Sequence, residues 1–413
     1  MAKTRRSRDV VGTGLPPTTP FQRLSRVHSL MTAGDTAMAV ALADSLFLSI
    51  SPDAARTKVL LFLAVSMAPF AVVAPLVGPF VDRMKGGQRM VVVLVGVLRA
   101  FVLVGMASSL DSLTLFPLAF AALILGKTYA IAKSAIVPTT VNDESKFVES
   151  NSKLGQISGI TGFVVAGPVA VLQLIDTRAA LGLGVIAFLA ASLNAYRLPK
   201  MAIQVGHSDA REEEELHSPS IVAASIAMRT LRFAVGFMFF HLAFWLRQEI
   251  AGTAWFGLAI GLSGLATLGA NFAGPYLRRR MRVEMMLFAS LVFVVLVALF
   301  ATWYDRVVGG IVLVAAVNAA AAIGRLAFEA TVQRDAPDAN RGKVFARFET
   351  QNQIAWVCGG LIPVIISPSG WLGFAGVVVI SSVGAVLFWR AGGIVIGSRG
   401  GRARGREHQP RSG

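Results

Sequence analysis

The chain has 413 residues, of which 54% are hydrophobic and only 15% are charged, and its formal net charge is +16. A soluble protein of this length would carry about 25% charged residues, so the composition excludes an ordinary soluble enzyme or nucleic-acid-binding protein. Long runs without charge recur along the whole chain and predict a polytopic membrane protein.

The chain begins with a polar, basic stretch, 1–28, that lacks a short apolar core with a cleavage site. We therefore expect a tail and no cleaved signal peptide. Twelve apolar runs of about 20 residues follow, the length of a helix that crosses a bilayer. Lipid offers the backbone no hydrogen-bond partner, so the runs are predicted to be helices. Their approximate bounds are 29–50, 58–81, 89–108, 113–136, 153–175, 179–197, 225–247, 253–276, 284–303, 307–330, 349–367 and 371–391.

A polar stretch at 198–224, which contains "REEEEL", separates six of these segments from the other six. We interpret it as a solvated linker between an N-terminal half, 29–197, and a C-terminal half, 225–391; a regulatory contact is the alternative. A second basic tail, 392–413, ends the chain. We expect this tail to lie against anionic membrane lipid, and we expect no nucleic-acid partner.

Lysine and arginine are distributed unevenly over the predicted loops. Most of the 39 lie in the two tails and in alternate loops, and few lie in the loops between. Because basic loops stay in the cytoplasm, both termini are predicted to be cytoplasmic, in agreement with the even number of segments. The expected location is the cytoplasmic membrane. The basic residues of the opposite loops are Arg56, Lys58, Arg178, Arg247 and Arg306.

The two halves of the sequence repeat each other. "GPFVDRMKGGQRM" at 78–90 is echoed by "GPYLRRRMRVEMM" at 274–286, and "GKTYAIAKSAIVPTTVNDESKF" at 126–147 aligns with "GRLAFEATVQRDAPDANRGKVF" at 324–345. A unit with an even number of segments repeats in the same membrane orientation. The sequence therefore predicts two parallel six-helix repeats about an axis along the membrane normal, with a substrate site at the midplane between them.

This organisation and its motifs resemble the major facilitator superfamily over about residues 20–395. The stretch 78–90 is similar to the superfamily's loop between helices two and three, and "GFVVAGPVAV" at 162–171 is similar to the helix-five motif of its exporters. "FVESNSKLGQISGITGFVVAGP" resembles the drug- and siderophore-exporter branch, and "VQRDAPDANRGKVFARFET" resembles uncharacterised actinobacterial members. The residues that carry these motifs are Gly78, Asp82, Arg83, Gly87 and Arg89, and Gly162, Gly167 and Pro168.

The resemblance implies an all-α fold of twelve transmembrane helices and a cytoplasmic gate. In the family, the acid of the first loop makes contacts that close the cytoplasmic side, which assigns a gate to Gly78, Asp82, Arg83 and Arg89. Arg278 replaces the acid in the second loop, so that loop is expected to be mainly an orientation anchor. The alternative is that both loops are only anchors.

Charges inside the predicted segments are the main site candidates, because a charge at the bilayer centre costs about 3 kcal/mol on translocon scales. We expect Asp44 or Asp35, together with Glu329, to carry protons, since a carboxylate in low dielectric holds its proton more easily. Counter-charge would come from basic residues in segments three, four and ten: Arg99, Lys127 and Arg325. Static ion pairing of Arg325 with Glu329, and a structural hydrogen bond at Asp44, are the alternatives.

Two acids and several glycines are given structural roles by their positions. Glu149 and Glu349 lie near the predicted starts of segments five and eleven, where the helix dipole favours an acid, so a capping or gate role is expected for both. Glycines of segments five and eight are expected to permit close helix approach or to act as flex points. They are Gly162, Gly167, Gly257, Gly261, Gly264 and Gly269.

The sequence contains no enzyme motif in a suitable structural context. "ALILGKT" at 122–128 lacks the first glycine of a phosphate-binding loop and lies inside a predicted membrane helix. The single cysteine, Cys358, excludes a multi-thiolate metal site, and no cofactor is expected. The resulting hypothesis is a secondary transporter that exports an amphipathic small molecule in exchange for protons. The alternatives are a lipid or lysolipid flippase, and a transporter-like receptor or assembly protein that does not transport.

Overall fold

The computed structural model describes residues 18–42, 87–199, 218–246, 249, 251–335 and 341–393, apart from 111, 113 and 142. Over these residues it contains eleven α-helices, one short 3₁₀ turn and no strand. The second predicted segment, 58–81, lies outside the described residues. The helices are α1 (Pro20–Ala41), α2 (Gly87–Ala107), α3 (Leu115–Thr140), α4 (Phe147–Ile175), α5 (Thr177–Ala195), α6 (Pro219–Trp245), α7 (Gly252–Arg280), α8 (Val283–Tyr304), α9 (Val307–Asp335), α10 (Arg341–Ile366) and α11 (Gly370–Arg390).

Nine of the described helices are long and apolar enough to cross a membrane. The other two, α1 and α10, are more polar: α1 contains "RLSRVHS" and α10 begins "RGKVFARFETQNQ". Polar side chains in a membrane bundle face its interior or a water-filled cavity. These two helices are therefore the ones from which an interior site is most readily built.

Helix α1 begins at Pro20, nine residues before the predicted start at 29. A capping box defines this start: the backbone N–H of Gln22 donates to Thr19 Oγ1 at 3.2 Å, and that of Thr19 donates to Gln22 Oε1 at 2.9 Å. Proline in the first helical turn lacks only an N–H that would have no partner there. Hydropathy missed this start because the first two turns of the helix are polar.

The described helices form two bundles. Helix α1 packs on α4 and α5, and α2 packs on α3 and α5; in the other bundle α6 packs on α9, α10 and α11, and α8 packs on α9 and α11. The bundles meet through α4 against α7 and α9, and through α3 against α10. The pairs α4–α9 and α3–α10 are equivalent under the sequence repeat, so the predicted parallel repeat is visible in the helix contacts.

The two ends of the bundle differ in charge. The end at which α2, α4, α6, α8 and α10 begin is called here the basic end, and the other is the opposite end. The opposite end carries Asp176, Arg178, Asp305 and Arg306. Basic side chains at or near the basic end include Lys146, Lys153, Arg197, Arg278, Arg279, Arg280, Arg334 and Arg390.

Close approach of α6 and α10 depends on glycine. A Cβ at Gly236 would collide with the backbone carbonyl of Trp356, and one at Gly359 would collide with the backbone carbonyl of Phe233. Membrane helices pack by such small-residue contacts because lipid gives no hydrophobic drive for helix association. The two glycines therefore fix where Trp356 lies against α6.

Gly359→Ala is expected to lower the free energy of unfolding by about 1–3 kcal/mol, the usual cost of overpacking, because the added methyl group meets backbone that cannot rotate away. Gly182→Ala in α5 is the matched control, since a Cβ there has nothing within 4 Å. Thermal unfolding of the purified variants in detergent measures the difference. Equal unfolding temperatures for the two variants would contradict the prediction.

Candidate functional site

A cavity of about 220 Å³ lies between the two bundles. Its wall on one side is α3, and on the other side it is α6, α9 and α10. Phe328, Phe345, Phe348 and Met228 supply apolar surface. The charged residues of the lining, which we call the charged cavity, are Lys127, Lys133, Arg232, Arg325, Glu329 and Glu349.

An ion pair joins the two bundles across this cavity. Lys127 Nζ on α3 lies 2.8 Å from Glu349 Oε1 on α10, and the two side chains are 31% and 28% exposed. The pair is thus partly open to the cavity, and it is made by residues from different halves. Sequence analysis had identified Lys127 as a site candidate.

The expectation that Glu349 caps a helix is wrong. Helix α10 begins at Arg341, so Glu349 lies eight residues, or about 12 Å at 1.5 Å per residue, inside the helix. The polar sequence before residue 349 had placed the predicted start too late. Glu149 does lie in the first turn of α4, where it pairs with Lys153 at 2.8 Å on the surface.

Arg325 and Glu329 both line the cavity from α9. They are four residues apart but do not form an ion pair with each other, so the alternative of a static pair is not what the structure shows. Sequence analysis missed Lys133 and Arg232. The available signal was that both lie inside predicted runs, 113–136 and 225–247, rather than in loops.

The charges of this cavity are not balanced. The C-terminal half contributes Arg232, Arg325, Glu329 and Glu349, two basic and two acidic residues. Among the residues that the structure describes, the N-terminal half contributes only the two lysines of α3, Lys127 and Lys133. The excess of positive charge therefore comes from the N-terminal half, because the basic and acidic residues of the C-terminal half are equal in number.

A second cavity, of about 190 Å³, lies next to the first towards the opposite end. It is formed by α6, α7, α9 and α10 and is mostly apolar, with Asn318 and Ser263 as its polar residues. Phe239 makes edge-on contact with Phe256, their ring centroids 5.6 Å apart, and tilted contact with Trp356 at 6.5 Å. We call this the aromatic cavity.

Asp35 and Arg99 form an ion pair inside the N-terminal half, apart from the charged cavity lining. Arg99 Nη1 donates to Asp35 Oδ2 at 3.3 Å, and Nη2 contacts Oδ1. The Arg99 side chain is 1% exposed, and its guanidinium lies 4.3 Å from the centroid of the Phe188 ring. The other acid of the predicted first segment, Asp44, lies outside the described residues.

A buried hydrogen-bonded chain that sequence analysis overlooked connects three helices of the N-terminal half. His28 Nδ1 lies 2.9 Å from the Tyr129 hydroxyl, and His28 Nε2 lies 2.7 Å from Ser158 Oγ. Both imidazole nitrogens are therefore satisfied within the protein. Because His28 lies in the polar start of α1, which hydropathy had assigned to the tail, nothing in the sequence had marked it as buried.

Of the predicted gate, only Arg89 belongs to the described residues; Gly78, Asp82 and Arg83 lie outside them. Arg89 is buried, its Nη1 donates to the backbone carbonyl of Tyr196 at 3.2 Å, and its guanidinium lies 5.0 Å from the Tyr196 ring centroid. These contacts join the start of α2 to the end of α5. A gate role for the four residues remains a prediction.

Amide side chains close the basic end between the halves. Asn151 Nδ2 donates to Gln333 Oε1 at 2.8 Å, and Gln333 Nε2 donates to the backbone carbonyl of Ser134 at 3.1 Å. Gln156 Nε2 and Ser152 Oγ both donate to the backbone carbonyl of Asn271. Over the part of the chain that the structure describes, every hydrogen bond between the halves lies at this level or at the Lys127–Glu349 pair.

A groove of about 560 Å³ also crosses between the halves at the basic end. Asp143 and Glu144 line it from the loop before α4, and Arg278 and Arg334 line it from the C-terminal half. Hydrogen bonds from the Ser145 hydroxyl and backbone N–H to the Asp143 carboxylate lower the pKa of Asp143. Arg278 therefore lines a groove that also contains acids of the other half.

Helices α4 and α7 are in contact near the basic end. A Cβ at Gly155 would collide with Asn271, and one at Gly159 would lie 2.6 Å from Leu268 Cδ1. Towards the opposite end, a Cβ at Gly257, Gly261 or Gly264 of α7 has nothing within 4 Å, and the same holds at Gly269, which lies beside Leu268. Close helix approach at these four positions, as expected from the sequence, is not present in this structure.

The exporter motif at 162–171, which corresponds to helix five of the family, lies in the C-terminal part of α4. Pro168 is inside the helix, which continues to Ile175. A Cβ at Gly162 would meet only Thr36 Oγ1, at 3.6 Å, and one at Gly167 would meet nothing within 4 Å. The Gly162 position therefore faces α1 of the same bundle, and the Gly167 position has no close neighbour.

The fold, the pseudo-symmetric halves and the interior site define a membrane transport protein of the two-bundle type. The model of the Major Facilitator Superfamily matches residues 27–360, and the chain belongs to that superfamily. Its similar curated relatives include the uncharacterized proteins ML2143 of Mycobacterium leprae and Rv0876c of Mycobacterium tuberculosis. Each is 28% identical over 90% of this chain, which corresponds to 71% and 74% of their lengths.

Solved structures with the same fold include three transporters. A bacterial homologue of the iron transporter ferroportin, in an outward-facing state, has a TM-score of 0.66 and 20% identity, covering 92% of this chain and 100% of that one. FucP in the outward conformation has a TM-score of 0.67 and 13% identity, with coverages of 89% and 98%. The human organic anion transporter MFSD10 has a TM-score of 0.66 and 17% identity, with coverages of 91% and 99%. At these identities the likeness concerns the fold.

Proposed function

We propose that the protein exports an amphipathic small molecule in exchange for protons, by alternating access, with its basic end in the cytoplasm. The observation that carries this proposal is the charged cavity between the halves, crossed by the Lys127–Glu349 pair at 2.8 Å. A buried site built from both halves changes its exposure when the halves rock, which is how carriers with two repeats work. Basic loops favour the cytoplasmic side, which supports the orientation.

The contacts between the halves support an outward-open state. The amide contacts of Asn151, Gln333 and Asn271 hold the halves together at the basic end. A Cβ at Gly257, Gly261 or Gly264 of α7 has nothing within 4 Å, which supports separation of α4 from α7 towards the opposite end and access to the site from that side. In the other state the amide contacts and the Lys127–Glu349 pair would break, and α4 and α7 would meet along their glycine-bearing faces.

Glu329 and Glu349 are the acids from which proton coupling can be built in the cavity. Protonation of Glu349 would remove the charge that pairs with Lys127 and would weaken one of the links between the halves. Proton binding and the opening of the basic end would then favour each other, which is what coupling requires. Asp35 and Asp44 remain candidates from the sequence for a second proton site in the N-terminal half.

Inverted membrane vesicles test this proposal. After the vesicle lumen has been acidified, a compound that the protein exports should cause proton release when it is added outside. We expect this release to fall to the level of vesicles without the protein in Glu329→Gln and Glu349→Gln, because glutamine cannot exchange a proton. Glu149→Gln, at an exposed surface pair, is the matched control and should keep the release.

Three results would count against the proposal. Proton release that persists in both cavity variants would remove the two glutamates from the coupling mechanism. Movement of lysolipid between leaflets without proton release would indicate the flippase alternative instead. A folded protein that moves neither kind of compound would favour a receptor or assembly role.

A further inference from the structure

We infer that the transported molecule is an amphipathic anion, with its anionic group in the charged cavity and a ring or other apolar group in the aromatic cavity. This inference rests on the proposed function, because it assumes that the two cavities hold a substrate. It adds the sign of the substrate charge and the spacing of its two parts. Both follow from the geometry of three helices.

The two cavities are related by the same sequence offset on α6, α9 and α10. Arg232 lies in the charged cavity and Phe239, seven residues later, in the aromatic one; Glu349 and Trp356 on α10 are also seven apart. On α9, which runs in the other direction, Asn318 lies seven residues before Arg325. Seven residues are almost two helical turns and about 10 Å of rise. Each helix thus presents one charged and one apolar or neutral position on one face.

The charged cavity favours a negative group. Of the residues that the structure describes, four basic and two acidic side chains line it. Within this set Lys133, Arg232 and Arg325 form no ion pair. Unpaired basic groups beside a cavity are the usual recognition elements for carboxylate, sulfate or phosphate. A cationic substrate would meet an excess of like charge, which discriminates against it.

The sequence repeat explains why Arg325 lacks a carboxylate partner from the other half. The 198-residue offset that relates the repeats places Lys127 on Arg325, and Asn151 on Glu349. Lys127 pairs with Glu349 across the cavity, whereas the position equivalent to Glu349 is the uncharged Asn151, which bonds to Gln333 instead. One of the two symmetric ion pairs is therefore missing, and its basic member is left for another anion.

The aromatic cavity is suited to the apolar part of the same molecule. Its volume of about 190 Å³ exceeds the roughly 150 Å³ of an engineered apolar cavity that binds benzene, so it has room for a ring. Phe239, Phe256 and Trp356 offer ring faces and edges, which aromatic groups pack against in offset or edge-on geometry. The substrate then needs about 10 Å between its anionic and apolar groups.

Binding to the full-length protein in phosphatidylcholine nanodiscs tests the inference, with empty discs subtracted. The water-soluble probes are phenylhexanoate, phenylhexylamine, which has the opposite charge, and hexanoate, which lacks the ring. The lipid probes are lysophosphatidate and the zwitterionic lysophosphatidylcholine. We expect one of the two amphipathic anions to bind about tenfold or more tightly than its matched compounds. The anion that binds identifies a water-soluble or a lipid source.

Variants locate the binding. Lys133→Gln and Trp356→Leu are each expected to weaken binding of the anion about tenfold, the effect of losing one charge-assisted contact or one aromatic anchor. Lys153→Gln and Trp303→Leu, at exposed positions, are the matched controls and should bind as the parent does. If Lys133→Gln fails to fold, Arg325→Gln removes a second basic group from the same cavity.

The inference is overturned if neither anion binds more than to empty discs. It is also overturned if phenylhexanoate is the anion that binds and phenylhexylamine binds as tightly. A third contrary result is that the folded cavity variants bind the anion as tightly as the parent does. These outcomes are separate from failure of the proposed function. For example, phenylhexylamine could cause proton release in energised vesicles that is lost in Glu329→Gln. This result would support proton-coupled export and would refute an anionic substrate.

Discussion

Asp35→Leu is expected to lower the free energy of unfolding by about 3–5 kcal/mol, the usual cost of removing one member of a buried ion pair. The reason is that Arg99 would remain in the protein interior, 1% exposed, with its charge uncompensated. The Phe188 ring next to the guanidinium cannot replace the carboxylate. Thermal or denaturant unfolding of the purified protein in detergent measures the loss.

Removal of the arginine, the other member of the pair, should lower the free energy of unfolding by less. Arg99→Met leaves Asp35, whose side chain is 45% exposed and can keep solvent contact. The double variant Asp35→Leu/Arg99→Met should be more stable than Asp35→Leu alone, because neither charge remains, and this double-mutant cycle isolates the pair. An Asp35→Leu protein as stable as the double variant would show that the pair does not compensate Arg99.

Gly264→Leu is expected to abolish transport while leaving the folded protein intact. A Cβ at this position has nothing within 4 Å, so leucine is accommodated in the outward-open state. Gly257, Gly261 and Gly264 nevertheless continue the face of α7 on which Leu268 already contacts α4, at helical spacings of three and four residues. When the opposite end closes, a leucine here would separate the two helices.

Measurements of stability, binding and transport distinguish a block of closure at the opposite end from misfolding. Unfolding of Gly264→Leu should stay within about 0.5 kcal/mol of the parent, as for other substitutions that meet no neighbour. Compound-dependent proton release should be lost, while binding from the opposite end persists. Gly182→Leu, another glycine with nothing within 4 Å but on α5, is the control. Normal transport by Gly264→Leu would show that α4 and α7 do not close along this face.

The sequence predicted the class of fold because hydropathy, loop charge and repetition all depend on local composition. It also identified Lys127, Arg325 and Glu329, because a charge inside an apolar run is costly wherever the helix packs. The repeat also showed that Lys127 and Arg325 occupy equivalent positions in the two halves. These inferences need no knowledge of which helices are neighbours.

The remaining features depend on tertiary contacts. The pairing of Lys127 with Glu349 joins residues 222 apart, and no periodicity relates them. Glu349 was misplaced because the polar start of α10 resembles a loop, and His28 was overlooked for the same reason in α1. Lys133 and Arg232 lie towards the ends of predicted segments, and only the packing of α3 against α10 and of α6 against α9 places them beside one cavity.

The excess of basic residues in the charged cavity has a consequence for the driving force. A cell membrane is negative inside, and each elementary charge that crosses 100 mV gains or loses about 2.3 kcal/mol. An anion that leaves through this site moves down the electrical gradient, and a proton that enters moves down it as well. Export of an anion against inward proton flow would therefore move net charge, and its rate should rise with membrane voltage even when no pH difference is present.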